Sequence, residues 1–147
     1  MDSKWHQRYM DLAKMIASWS KDPSTSVGAV AISDDNRILS TGYNGFPKGI
    51  ADTAERLNDR ETKYELTIHA ELNVILTAAA HGVSLTGSSL FVYGLPICSS
   101  CAKHIIQSGI KKVYINQDSV YNERWHNSWL KTEKLLAEAS IEVFCLQ

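Results

Sequence analysis

The second half of the chain alternates short apolar runs with helical patterns, and this alternation narrows the possible folds more than any other feature. Residues 88–94, 112–116 and 141–146 are apolar runs. Between them lie a helical stretch at 98–109, closed by Gly109, and another at 123–139, with Trp125, Trp129, Leu135 and Leu136 among its apolar positions. Short apolar runs bounded by turn residues read as buried strands, and strands joined through helices pair in parallel by right-handed crossovers. Upstream, residues 26–33 and 37–43 flank the turn sequence Asp34-Asp35-Asn36, which predicts an antiparallel hairpin. Residues 3–20 carry Trp5, Tyr9, Leu12, Ala13, Ile16 and Trp19 at helical spacing until Asp22-Pro23-Ser24 breaks the pattern, and a further helix is predicted over 69–81, ending at Gly82. The order α-β-β-α-β-α-β-α-β predicts a mixed five-stranded sheet with helices on both faces, a three-layer α/β/α fold. Residues 44–66, with Gly45, Pro47 and Gly49 followed by many charges, read as the longest irregular stretch, and long loops in compact domains carry function.

A chain of 147 residues suits one domain over 1–147 and removes roughly two-thirds of its unfolded surface from water. Its 44% hydrophobic content is that of a globular protein. A formal net charge of -1 gives no overall attraction to nucleic acid or to an anionic membrane, and Lys111-Lys112 reads as a solvated pair. No run of about 18 apolar residues is present, and the polar start Met1-Asp2-Ser3-Lys4-Trp5-His6 lacks the apolar core of a secretory signal, so a cytoplasmic protein is expected. Three cysteines without an export signal argue against a disulfide framework. In a reducing compartment, Cys98-Ser99-Ser100-Cys101 points instead to metal or redox chemistry. Cys145, between Phe144 and Leu146, reads as a buried strand cysteine.

The chemistry gathers at two predicted helix starts, His69-Ala70-Glu71 and Pro96-Ile97-Cys98-Ser99-Ser100-Cys101. Helix N-termini present free N–H groups and a positive dipole end, which favour thiolates. Two cysteines spaced i, i+3 share a helix face, so both sulfurs can reach one ion. One histidine and two cysteines suit zinc and leave a fourth position for water, the pattern of a catalytic site, where the metal lowers the pKa of water to about 7. Glu71, two residues beyond His69, stands beside the ligands and can move protons between water and a ring nitrogen. Two other readings of the cysteines remain at this point: a redox pair, or a structural zinc with His104 or Cys145 as fourth ligand. Tyr121, after the fourth strand, can stack on a substrate base, whereas Trp125 and Trp129, four residues apart, read as core or subunit contacts.

These two motifs match the H-x-E and C-x-x-C signature of zinc nucleobase deaminases. With Lys21-Asp22-Pro23-Ser24-Thr25-Ser26-Val27-Gly28-Ala29, Gly42-Tyr43-Asn44-Gly45-Phe46-Pro47, His69-Ala70-Glu71-Leu72-Asn73 and Cys98-Ser99-Ser100-Cys101-Ala102-Lys103 running on to Gly109-Ile110-Lys111, the chain resembles the deoxycytidylate (dCMP) deaminase family of the cytidine deaminase-like superfamily over about residues 20–144. The resemblance implies a cytidine deaminase-like fold, Zn2+ held by His69, Cys98 and Cys101, proton transfer by Glu71, a hydrogen bond from Asn44 to the nucleotide sugar and one from the Ala70 backbone N–H to the pyrimidine carbonyl. It implies hydrolytic deamination of dCMP to dUMP, with the same chemistry on a nucleoside, a purine base or a modified nucleotide as the alternative, and a non-catalytic zinc-stapled module as a further one. It also implies a homo-oligomer, hexamer or dimer, and regulation by deoxynucleoside triphosphates. No nucleic-acid or membrane partner is expected. Two positions depart from the family pattern. Ile97 stands where a proline usually precedes the first cysteine, and Trp19 stands where many relatives carry an arginine. Tryptophan cannot grip a phosphate as arginine does, so the phosphate contact is expected from Lys48, Arg56, Arg60 or Lys63.

Overall fold

A computed structural model describes residues 3–118 and 123–147. Its strands are β1 (Gly28–Ile32), β2 (Ile38–Tyr43), β3 (Ser89–Tyr93), β4 (Lys112–Asn116) and β5 (Glu142–Leu146), in one sheet ordered β2-β1-β3-β4-β5. β1 runs antiparallel to β2 and β3, while β3, β4 and β5 are mutually parallel. The predicted hairpin and the predicted parallel half are therefore both present. The helices are α1 (Ser3–Ala17), α2 (Ala54–Asn58), α3 (Arg60–Leu66), α4 (Ala70–Ala80), α5 (Ser99–Gln107) and α6 (His126–Glu138).

The central strands are apolar without a break because both of their faces are covered, and the two-residue side-chain period divides them between two cores. Val30, Ile32, Phe91 and Tyr114 point to α1, meeting Tyr9, Met10, Ala13 and Ile16. Ala29, Ala31, Leu90, Val92, Val113 and Ile115 point the other way, against Val74 and Ala78 of α4, Ala102 and Ile105 of α5, and Trp129 and Leu136 of α6. On the α1 face, Phe91, Tyr114 and Phe144 sit side by side on β3, β4 and β5 and stack at centroid distances of 4.3 and 4.9 Å.

Two glycines set how closely the helices approach. A Cβ on Gly28 would stand 2.1 Å from the Ala13 carbonyl oxygen, and one on Gly42 would stand 2.7 Å from both the Ala70 carbonyl oxygen and the Val74 nitrogen. α1 and α4 thus lie backbone against backbone on opposite faces of the sheet, and Gly42 seats the first turn of α4.

Three expectations are corrected. The first helix stops at Ala17, not at residue 20, because Ser18, Trp19 and Ser20 leave the α pattern in tight turns onto Met15, Ile16 and Ala17. The stretch 44–66 is not irregular throughout. α2 is capped by Thr53, whose hydroxyl accepts from Arg56 N at 3.2 Å, and Asp59 both ends α2 and opens α3. Cys145 is exposed, not buried, because β5 is an edge strand whose outer residues no helix covers. Among the described residues, no helix is long and apolar enough to cross a membrane.

Candidate active site

The two helix starts singled out in the sequence meet. His69, in the short link after α3, is the N-cap of α4, and Cys98, in the loop leaving β3, is the N-cap of α5. The Cys98 sulfur accepts from Cys101 N at 3.4 Å, and the Ser99 N–H donates to Ser128 Oγ of α6 at 3.0 Å. The first turn of α5 is therefore anchored at two of its free donors. Ile97, the residue in place of the expected proline, is fully buried, and its carbonyl accepts from Thr132 Oγ1 at 2.8 Å, which pins the approach to Cys98.

His69 Nδ1 lies 3.4 Å from both Cys98 Sγ and Cys101 Sγ, and the three ligand atoms fall within 4.8 Å of one another. Tetrahedral zinc with Zn–N and Zn–S bonds of about 2.0 and 2.3 Å places N and S ligands roughly 3.5 Å apart, so these residues fit the ion. They are the only such group of three among the described residues. His104 and Cys145, the candidate fourth ligands, do not join it, and both are exposed.

The electrostatics suit a metal that binds thiolates. Hydrogen bonds from Cys101 first and from His69 next hold the Cys98 thiol down to about 4. Cys101, which gives that bond to Cys98 and is itself buried, is held far above the usual thiol range. The first proton of the pair leaves readily, and the second leaves only when a cation replaces it. Beside His69 and Cys101, Glu71 is 4% exposed. Burial pushes its carboxyl up to about 7 against the opposing pull of His69 and Cys101. A carboxyl that holds or releases a proton near neutral pH is what general acid–base catalysis requires.

The cluster opens into a cleft of about 820 Å³, counted out to open solvent. His69, Ala70, Glu71, Cys98, Asn44 and Lys63 all line it. Asn44 is buried, and its side chain ties down one wall: Oδ1 accepts from Val27 N and Nδ2 donates to Thr25 O, each at 2.9 Å. One lone pair and one N–H remain for a ligand. Lys63 is 6% exposed and committed to Asp22 at 3.2 Å and Ser24 Oγ at 3.1 Å. Asp22 in turn accepts from the backbone of Ser24 and Thr25.

Several expected residues are not in this cleft. Lys48, Arg56 and Arg60 do not line it, and Arg56 donates instead to the Ala51 carbonyl. Trp19 does not line the cleft; it lines a neighbouring hollow that shares Asp22, Asn44 and Thr67 with it, and meets Tyr43 edge to face at 6.3 Å. Tyr121 lies outside the described residues. Trp129 belongs to the core, as its spacing suggested, but Trp125 lines the cleft. Sequence reasoning also missed Tyr64 and Arg124 in the cleft wall. Their meeting, through a 2.7 Å hydrogen bond from Arg124 Nη2 to Tyr64 Oη, spans 60 residues and has no local signature.

Comparison with known proteins agrees with this geometry. A family model described as the cytidine and deoxycytidylate deaminase zinc-binding region matches residues 3–117. An uncharacterised deaminase from the luxG 3′ region of Aliivibrio fischeri is 44% identical over 144 residues, covering 97% of this chain and 94% of that protein. The deoxycytidylate deaminase of Homo sapiens is 39% identical over 126 residues, covering 81% of this chain and 68% of that protein. The crystal structure of a dCMP deaminase from cyanophage S-TIM5, in complex with dCMP and dUMP, superposes with a TM-score of 0.77 at 25% identity and 99% coverage of both chains.

Proposed function

The chain belongs to the cytidine and deoxycytidylate deaminase zinc-binding family, and from that premise we propose that it is a zinc-dependent hydrolase converting dCMP and water to dUMP and ammonia. The observation that carries this reading is the lining of one cleft by His69 and Cys98 of the three-residue cluster together with the buried Glu71 carboxyl. His69, Cys98 and Cys101 hold the zinc. When bound, zinc supplies a Lewis acid that makes water nucleophilic at neutral pH.

Glu71 takes a proton from the water that attacks C4 and delivers it to N3. It then carries a second proton to the exocyclic amine, so that ammonia leaves and the C4 carbonyl forms. Its buried position keeps bulk water from competing for those protons. The Ala70 N–H, in the unbonded first turn of α4, donates to the pyrimidine carbonyl. The remaining N–H and lone pair of Asn44 bind the sugar hydroxyl.

The reading extends to the whole of 1–147 as one deaminase domain, acting in the cytoplasm, where thiols such as Cys98 and Cys101 stay reduced and free to bind metal. It also extends to a homo-oligomer, hexamer or dimer. The exposed pair Trp19 and Tyr43 and the exposed Ile38 of the edge strand β2 are the apolar surface such an assembly would cover. Light scattering that returns the 16.4 kDa monomer mass would overturn the assembly.

The test of function is ammonia release by the zinc-loaded protein from dCMP, CMP, deoxycytidine, cytosine, dAMP and guanine. Turnover of dCMP above the rest is expected. Silence on dCMP, with or without activity on another member of the panel, refutes the substrate assignment.

A further inference from the structure

We propose that Arg124, held against Tyr64 at the exposed edge of the cleft, grips the 5′-phosphate of the substrate and makes the enzyme prefer nucleotides to nucleosides. This rests on the deaminase reading for the position of the base but draws on different residues. The reacting base and the phosphate lie at opposite ends of a nucleotide. A phosphate-reading group must therefore line the same cleft as Glu71 and yet stand near solvent. Arg124 meets both conditions: it lines that cleft and is exposed.

The other cations fail one condition or the other. Lys63 lines the cleft, but its charge is matched by Asp22 in a pair with side chains only 7% and 11% exposed. Lys48 and Arg56 lie away from the cleft, and Arg60 lines only an adjoining hollow that it shares with Lys63, Tyr64 and Arg124.

Arg124 is also prepared for the task. Its guanidinium sits 5.1 Å from the Trp125 ring centroid and 5.8 Å from that of Tyr64. One N–H is spent on the Tyr64 hydroxyl, at 2.7 Å. No carboxylate among the described residues forms an ion pair with it. An arginine has five donors in a planar fork that matches two phosphate oxygens. Contact with two aromatic rings and the bond to the Tyr64 hydroxyl restrict that fork before the ligand arrives, which lowers the entropy lost on binding. Arg60, 5.3 Å from the same Tyr64 ring, adds positive field without a contact.

The test is calorimetric titration of the zinc-loaded protein, as wild type, Arg124→Gln and Arg124→Lys, with dUMP and with deoxyuridine. The wild type is expected to bind dUMP more tightly than deoxyuridine. Arg124→Gln is expected to reduce that preference roughly 10- to 100-fold, the worth of a charged hydrogen bond, and Arg124→Lys to restore part of it. A preference unchanged in Arg124→Gln overturns the proposal, as does a parallel loss of both ligands or a wild type that does not discriminate between them. Arg124-dependent dUMP binding without ammonia release from dCMP would refute the deaminase reading and keep this one. Equal turnover of deoxycytidine and dCMP would do the reverse.

Discussion

Replacing Lys63 by methionine tests whether this lysine is part of the framework or a free charge in the substrate cleft. Its ammonium lies 3.2 Å from Asp22, with the two side chains 7% and 11% exposed. Removing one partner of a buried pair leaves the other charge uncompensated and costs about 3–5 kcal/mol. Asp22 would keep its bonds from the Ser24 and Thr25 N–H groups, so the lower end, about 3 kcal/mol, is expected. For a chain of this length that corresponds to a fall in melting temperature of roughly 6–12 °C. The assay is urea unfolding of the zinc-loaded protein for Lys63→Met, Asp22→Asn and the double variant. Because each single change strands a charge and the double change strands none, the double variant should lose less than the sum of the singles by about 1.5 kcal/mol or more. Additive losses, or a cost below about 1 kcal/mol for Lys63→Met, would show that Lys63 is not committed to Asp22. The argument that leaves Arg124 as the phosphate contact would then fail with it.

Other perturbations probe other parts of the reasoning. Glu71→Gln should retain zinc, read as metal content, while lowering kcat for ammonia release by roughly 10²- to 10⁴-fold; turnover within a few-fold of wild type would dismiss Glu71 as the proton carrier. Gly42→Ala forces a methyl to within 2.7 Å of the α4 backbone, an overpacking expected to cost about 1–3 kcal/mol in urea unfolding and to reduce turnover by shifting the first turn that carries Glu71; an unchanged unfolding midpoint would contradict the close approach. Chelation of zinc should lower the melting temperature, and zinc but not magnesium should restore it, since thiolate and imidazole ligands select against hard cations; full restoration by magnesium would argue against the cysteine ligands.

What could be read in the chain alone was carried by short-range pattern. The i, i+3 spacing of Cys98 and Cys101, the His69-Ala70-Glu71 start and the alternation of strands with helices are local features, and a helix start or a strand face is decided by neighbours within a few residues. The candidate metal-binding group of His69, Cys98 and Cys101, the hairpin and the parallel half were legible in these. The misreadings fall where local pattern is silent. α2 and α3 were hidden in a charged stretch because each is short, with no apolar period of its own, and α2 is held by a cap at Thr53. Cys145 sits in an apolar run, but its exposure depends on β5 being the sheet's edge, which pairing order decides.

The charges of the cleft were sorted only by tertiary structure. Lys63 meets Asp22 across 41 residues and Arg124 meets Tyr64 across 60. Before the chain closes, Lys63 and Arg124 are alike, two cations in polar sequence. Folding matches one to a buried carboxylate and leaves the other against two aromatic rings at the cleft's edge, because a buried charge must find its partner wherever the chain brings it, whereas an exposed one keeps its donors for solvent or ligand. Trp19 shows the converse. It stands where many relatives carry an arginine, but the turn after Ala17 carries it into a neighbouring hollow and not into the cleft itself. Local spacing thus marked out the candidate zinc ligands, and long-range packing decided which charges of the cleft are paired and which are left facing solvent.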